Sequence, residues 1–456
     1  MSVIEAHSAA VSPQWLLQRV KGTTSAELGA GLEQLIRSGT LAPGAQLPTI
    51  RDLAQAASTS VGTILAVWNH LREAGLIETH RRGGTTVRTA TALHVVSDWS
   101  SIDFQQGEPD ISLQPELGSA LLDSLTAPNL NVFGREYMTE RLYSAVAPSW
   151  PFRADAWMTA GGGTEALLLA TAAAAQPGSA VAVDEPVSPG FLDTLRDLDL
   201  RPMAVAADES GPLPASLADA IEAGATAFIF QPGAPFAVDH AVTMQRAREL
   251  AATLSRAENA HVVVVEDDSI GPLARRAVPT LGQELTGRVL RVRSYCKAYG
   301  IDVRTSVIGG PRRLVDRAIG LRSHGVGSNS RILQNALAYL VQDDDANARV
   351  ADARERYERR RELLVDALRR QDLTVHVGAD GIVLWVEVAD ETDALVGLAA
   401  KGILAGAAAK SFIVRPEHPM IRLSAMQLPE DDTALFERLA ETITMAAQGG
   451  RREFFD

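Results

Sequence analysis

Cysteine is nearly absent from this chain. Cys296 is the single one in 456 residues, so no disulfide can form within the chain and a reducing compartment is the natural reading. No basic stretch followed by an apolar run opens the sequence, where Met1 to His7 is polar and mixed, so no secretory leader is expected. Long apolar runs are missing as well. The longest largely apolar stretch, Ala166 to Ala175, is Ala-rich and too short to span a bilayer. A cytoplasmic location is the expectation. Positive charge is not in excess either: the net charge is −13, which excludes a polyanion-binding surface over the whole molecule.

The charge is unevenly placed. Residues 1–90 carry eight Lys/Arg against six Asp/Glu, a balance of +2, which leaves −15 for the rest. A mildly basic head on an acidic body suits a nucleic-acid module joined to something that avoids nucleic acid. The length is ample for more than one domain, and 46% hydrophobic residues is ordinary for a globular protein.

The head has a legible order of elements. Thr24-Ser25-Ala26-Glu27 has the spacing of a capping box, in which Thr and Glu satisfy each other's backbone donors. Leu28, Leu32, Leu35 and Ile36 then recur at helical spacing, and Gly39 stops the helix. Leu41-Ala42-Pro43-Gly44 reads as a turn. Leu47-Pro48-Thr49 opens a second helix running to Ala57. Ser60 caps a third, with Ile64, Val67, Trp68 and Leu71 facing inward and Gly75 at its end. Two short strands, 76–79 and 85–87, flank the basic tip His80-Arg81-Arg82-Gly83-Gly84. Helix-turn-helix followed by a basic hairpin is a winged helix, whose third helix fits the major groove of double-stranded DNA.

The string Leu41-x-Pro43-Gly44-x-x-Leu47-Pro48-Thr49-x-Arg51-x-Leu53-Ala54 resembles the motif of the GntR family of transcription regulators. The resemblance covers about residues 20–88. It implies operator contacts from Arg51, Ser60, Thr63, Arg81, Arg82, Gly84 and Thr85. Val61-Gly62 stands where the family often has Arg-Asn, and Ala66 replaces a further helix Arg. Base readout then has fewer polar groups to use, with apolar contact to thymine methyls as a route.

Residues 89–102 lack periodicity and read as a linker between a winged-helix domain (12–88) and a larger domain (103–450), whose part beyond about 340 is a smaller C-terminal α/β subdomain. In the larger domain strands alternate with helices, as in an α/β fold with a mixed, mostly parallel sheet. Candidate strands are 180–183, 227–230, 262–265 and 289–293, then 383–388 and 421–424 in the tail, which also holds a charged helix from Arg354 to Arg369.

Within this frame Val262-Val263-Val264-Val265-Glu266-Asp267-Asp268 runs a strand into acids, about thirty residues before Ser294-Tyr295-Cys296-Lys297. With Arg304, seven residues past the lysine, the pattern resembles the fold-type I aminotransferases, which hold pyridoxal 5′-phosphate (PLP). The resemblance implies that Lys297 links to the cofactor aldehyde and Asp267 pairs with the ring nitrogen. Gly161-Gly162-Gly163-Thr164, opening a helix, would offer backbone amides to the phosphate, with Gly163 and Thr164 closest and Ser294 and Arg304 completing the cup. Arg422, in Met420-Ile421-Arg422-Leu423-Ser424, would clamp an effector carboxylate.

Several positions depart from that pattern. Phe133-Gly134 replaces a Tyr-Gly, Ser188 stands where an aromatic covers the ring, and Phe236 stands where an Asn bonds the ring phenol. Ser269 follows the acids in place of Tyr or His, and Cys296 precedes the lysine in place of Ser.

A GntR-like head on such a body resembles the MocR branch of the family. That implies a homodimeric transcription regulator, without catalytic turnover, that senses PLP or a PLP-linked amino metabolite. Two other readings stay open. One is a regulator that has abandoned PLP and senses another anionic metabolite through Arg304, Arg422 and the Gly161–Thr164 turn. The other is a PLP-dependent aminotransferase with a vestigial DNA module, against which the altered pocket argues.

Overall fold

The computed structural model describes residues 11–20, 24–37, 41, 45–73, 76–80, 84–87, 102–105, 107–323, 325 and 327–449. The chain divides into two compact units, residues 1–95 and 96–456.

In the first unit, α1 (Pro13–Leu17) precedes α2 (Ser25–Arg37), β1 (Gln46–Leu47), α3 (Ile50–Ala56), α4 (Val61–Glu73), β2 (Ile77–His80) and β3 (Gly84–Val87). The capping box forms: the Thr24 N–H donates to Glu27 Oε2 at 3.1 Å and the Glu27 N–H to Thr24 Oγ1 at 3.3 Å. Ile64, Val67, Trp68 and Leu71 form the buried stripe of α4 and pack with Leu28, Leu32 and Leu53. Each such side chain contributes about 1.5–3 kcal/mol on burial. Two features depart from the sequence reading. Leu47, expected at a helix start, instead ends the strand Gln46–Leu47, which pairs antiparallel with Thr85–Thr86 and makes a three-stranded sheet in the order β1-β3-β2. The helix α1, whose cap Ser12 accepts from the Trp15 N–H, had no sequence signal assigned to it. Gly39, Pro43-Gly44, Gly75, the wing tip Arg81-Arg82-Gly83 and the linker up to residue 101 lie outside the described residues.

The second unit is built on a seven-stranded sheet. Its strand order is Ala156–Ala160, Ser306–Gly310, Val289–Ser294, Val263–Asp268, Ala225–Phe230, Ala180–Asp184, Arg201–Val205. Ser306–Gly310 runs antiparallel to both neighbours and the other pairings are parallel. Both faces are covered, which explains the continuous Val/Ala runs of the central strands. A second sheet, Val375–His376, Leu384–Glu387, Met420–Leu423 and Gly406–Ala407, packs with the long helix Asp344–Arg370 and the helix Thr433–Ala447 around a separate core. The long helix starts ten residues before the sequence reading placed it. Ile102, expected in the linker, belongs to this unit: Ile102–Asp103 pairs with Ile403–Leu404. Among the described residues no helix is long and apolar enough to cross a membrane.

Candidate functional site

The functional groups gather where the central strands end. On Val263–Asp268 alternate side chains face opposite sides of the sheet. Glu266 and Asp268 share one side, where they pair with buried Arg291 at 2.6 and 2.9 Å, and Arg293 adds a 2.7 Å contact to Asp268. Asp267 therefore faces the other way, into a cavity of about 670 Å³. Lys297, on the short helix Cys296–Tyr299 just after the neighbouring strand, lines the same cavity.

Burial pushes the Asp267 carboxyl up to about 7, and repulsion from Asp268 adds to it, against the pull of Lys297 and Arg291. Burial pushes the Lys297 ammonium down, opposed by Asp267. Among the described residues no hydrogen bond or ion pair holds Lys297 Nζ.

The cavity's other end is a turn and a helix N-terminus. Gly162 has φ +125° and ψ 170°, a backbone that L side chains rarely adopt, which is why glycine is needed there. The twelve-residue helix Gly163–Ala174 follows with no side-chain cap, so no capping side chain satisfies its first amides. Gly163, Thr164, Ser294 and Arg304 all line the cavity. A Cβ on Gly163 would sit 3.4 Å from Ser294, so the two walls meet closely.

The sequence reading missed the bracing of this end. The Gly161 N–H donates to Glu165, whose other oxygen pairs with Arg322 at 2.9 Å. Arg322 also donates to the Thr159 carbonyl at 3.0 Å and to Asn329 Oδ1 at 2.6 Å. Asn329 Nδ2 in turn donates to the carbonyls of Ala160 at 2.8 Å and Arg304 at 3.2 Å. That clamp sits on Arg304, a non-glycine residue held at φ +44°. The partners are up to 169 residues apart, beyond any local pattern.

The altered positions form walls. Phe236 and Ser188 line the cavity, and the Phe236 carbonyl accepts from Trp385 Nε1 at 2.9 Å, which fixes its loop. Arg422 does not join them. It is buried off the cavity, donating to Ser411 Oγ at 3.0 Å and to the Gln105 carbonyl at 2.9 Å. Its Nε has no partner, and burial pushes its pKa down to about 10.

These donors fit PLP. A buried lysine with no hydrogen bond, a buried acid on the same cavity wall, and an uncapped helix start beside a serine and an arginine match an aldehyde, a basic ring nitrogen and a phosphate. Among the described residues no cluster suited to a metal ion exists.

In the first unit Arg51 is exposed on α3, and Ser60 caps α4 through the Thr63 N–H at 3.0 Å. Gly84 opens β3 opposite His80. Thr85 is buried within the sheet, so it supports the wing from inside instead of offering a side chain to DNA.

Residues 100–426 match the family Aminotransferase class I and II, and residues 24–87 match Bacterial regulatory proteins, gntR family. The chain is 26% identical over 430 residues to the vitamin B6 salvage pathway transcriptional repressor PtsJ of Salmonella typhimurium, covering 91% of this chain and 97% of that one. It is 24% identical over 405 residues to the uncharacterized HTH-type transcriptional regulator YjiR of Escherichia coli, covering 79% and 85%. Among solved structures, the α-aminoadipate aminotransferase LysN of Thermus thermophilus superposes with a TM-score of 0.67 at 17% identity, covering 76% of this chain and 92% of that one. The aspartate aminotransferase of Rhizobium meliloti does so with 0.65 at 21%, covering 77% and 92%. The chain belongs to the class I and II aminotransferase family and carries a gntR-family helix-turn-helix domain ahead of it, the two-part organisation of the MocR-type regulators.

Proposed function

We propose that the protein is a DNA-binding transcription regulator whose aminotransferase-like unit senses PLP, or an amino compound joined to it, and shifts DNA affinity accordingly. The observation that carries this reading is one chain joining a helix-turn-helix to a cavity in which Lys297 and Asp267 stand ready while the ring-holding positions are Ser188 and Phe236.

The cofactor, when bound, supplies an aldehyde for a lysine and an electron-withdrawing ring. Burial keeps a larger share of Lys297 as the neutral, nucleophilic amine. Asp267, as the carboxylate, would accept a hydrogen bond from the protonated ring nitrogen. The amides of Gly163 and Thr164, with Ser294 and Arg304, would hold the phosphate. Replacing a stacked aromatic and a phenol-bonding Asn removes about 1–2 kcal/mol each. Hold is then weaker by one or more orders of magnitude, which suits a reversible sensor and works against turnover. The same two residues favour the second reading, a pocket turned to another anionic metabolite.

The working form is taken as a homodimer reading two half-sites in the cytoplasm. Apolar side chains at the surface of the second unit support it: Leu122 is 70% exposed and Phe133 fully so.

The test is an absorbance titration with PLP, borohydride reduction and peptide mapping, paired with DNA-binding anisotropy with and without PLP. A reduced adduct on Lys297 and a PLP-dependent change in DNA affinity, both lost in Lys297→Ala, are expected. DNA binding that responds to PLP unchanged in Lys297→Ala would refute the lysine's role, and no adduct at all would favour the second reading.

A further inference from the structure

The DNA-facing end of α4 has an unusual composition for a helix that must tell bases apart. From the cap onward it reads Ser60-Val61-Gly62-Thr63-Ile64-Leu65-Ala66. Ile64 is fully buried. Ser60 and Thr63 are engaged with each other: their hydroxyls lie 2.8 Å apart, and Ser60 Oγ also accepts the Thr63 N–H at 3.0 Å. The side chains left facing out are Val61, 51% exposed, Leu65, 44% exposed, and the methyl of Ala66. None of them can donate or accept a hydrogen bond. Farther along, beyond this end of the helix, His70 pairs with Glu33 at 3.4 Å and Arg72 donates to Asn69 Oδ1 at 2.8 Å, which uses part of their hydrogen-bonding capacity within the unit.

Val61 and Leu65 are four residues apart, hence neighbours on one helix face with Cβ atoms about 5–6 Å apart. Successive bases along a strand rise about 3.4 Å, so the pair spans one or two base steps. In the major groove the 5-methyl of thymine is the single apolar feature of a base edge.

We infer that Val61 and Leu65 determine sequence specificity by packing on thymine 5-methyl groups, so that each half-site carries one or two fixed thymines read without hydrogen bonds from this helix. Gly62, between them, leaves the backbone bare and lets the helix sit close to the groove floor. Phosphate contacts from basic residues such as Arg51 set position and affinity, not sequence. This rests on the DNA-binding reading above.

The experiment uses the full chain. Duplexes are selected from a random library, and the best is remade with each thymine singly replaced by deoxyuridine, which removes the methyl and nothing else. Binding is followed by anisotropy for the wild type and Leu65→Ala. Loss of one buried methyl weakens binding about fourfold. The expected result is a fourfold loss at one or two thymines per half-site, with Leu65→Ala indifferent to the deoxyuridine at one of them. Equal binding of all deoxyuridine duplexes overturns the inference while leaving DNA binding intact. So does a Leu65→Ala variant as sensitive as the wild type at every thymine. A chain that retains no duplex overturns the DNA-binding reading itself, and this inference with it.

Discussion

Asp267→Asn is the perturbation that tests the site most directly. Asp267 is 4% exposed and its carboxyl is pushed up to about 7, first by burial and then by Asp268. Moving a carboxyl from about 4 to about 7 disfavours its charged form by about 4 kcal/mol. The sign follows from linkage. The folded state holds this proton more tightly than the unfolded state, so the wild type loses stability as pH rises from about 4 to about 7 and is flat above. Asparagine has the same shape and no charge, so it avoids that loss. The pull of Lys297 is already contained in that shift, and water entering the cavity screens part of the burial penalty, which leaves a gain of about 2 kcal/mol, on the order of half the linkage figure. In a unit of this size 2 kcal/mol corresponds to about 3 °C in Tm. With the protein stripped of PLP, thermal unfolding should give the variant a Tm about 3 °C higher at pH 8 and a much smaller advantage at pH 4.5. Added PLP should reverse the order at pH 8, because asparagine cannot hold the ring nitrogen's proton. A stripped variant less stable than the wild type at pH 8 would show that Asp267 is a settled ion-pair partner of Lys297, and the reasoning would fail.

Three further outcomes are expected. Gly162→Ala, at φ +125°, should cost about 1–3 kcal/mol in urea unfolding and weaken PLP binding, since nothing crowds the added methyl and only the backbone strain acts. Asn329→Ala removes the clamp on the Arg304 carbonyl and one partner of Arg322; PLP affinity should fall about tenfold with the helical circular dichroism unchanged, and an unaltered titration would refute the bracing. His376 lies between Asp239 and Glu387, which together outweigh burial and hold its pKa above the ordinary histidine value. Its stabilising contribution is fully present below about pH 6.5 and is lost as pH rises through the raised folded value, so His376→Gln should flatten the decline of stability above pH 6.5 relative to the wild type.

The cavity gathers residues that the chain keeps far apart. Gly163 and Thr164 precede Lys297 by more than 130 positions, yet each was legible alone because its chemistry demands a recognisable neighbourhood: a glycine turn opening a helix, acids ending a valine strand, a lysine just past a strand. Helix periodicity likewise exposed the stripe of α4 and the capping box before α2, since both depend on residues three or four apart. The aminotransferase resemblance names Asp267, Ser294, Lys297 and Arg304, and all four line one cavity; Val61 stands out as a departure from the family's helix motif, whereas Leu65 carries no signal in the sequence.

Other features had no local signature. Whether Arg422 reaches the cavity depends on how the small sheet packs, and there it turns to Ser411 and Gln105. Thr85 is buried because Leu47, nearly forty residues earlier, pairs with it as a strand. The Glu165–Arg322–Asn329 brace and the Asp239–His376–Glu387 contact link residues whose meeting depends on the fold. By itself the sequence determined the two-part organisation, many of the elements and the chemical kinds of groups at the site, because these follow from short-range spacing and side-chain chemistry. Only the tertiary structure decided which polar groups are left without partners. That is a property of long-range packing: it sets Lys297 and Asp267 on the cavity wall and turns Arg422 to Ser411 and Gln105.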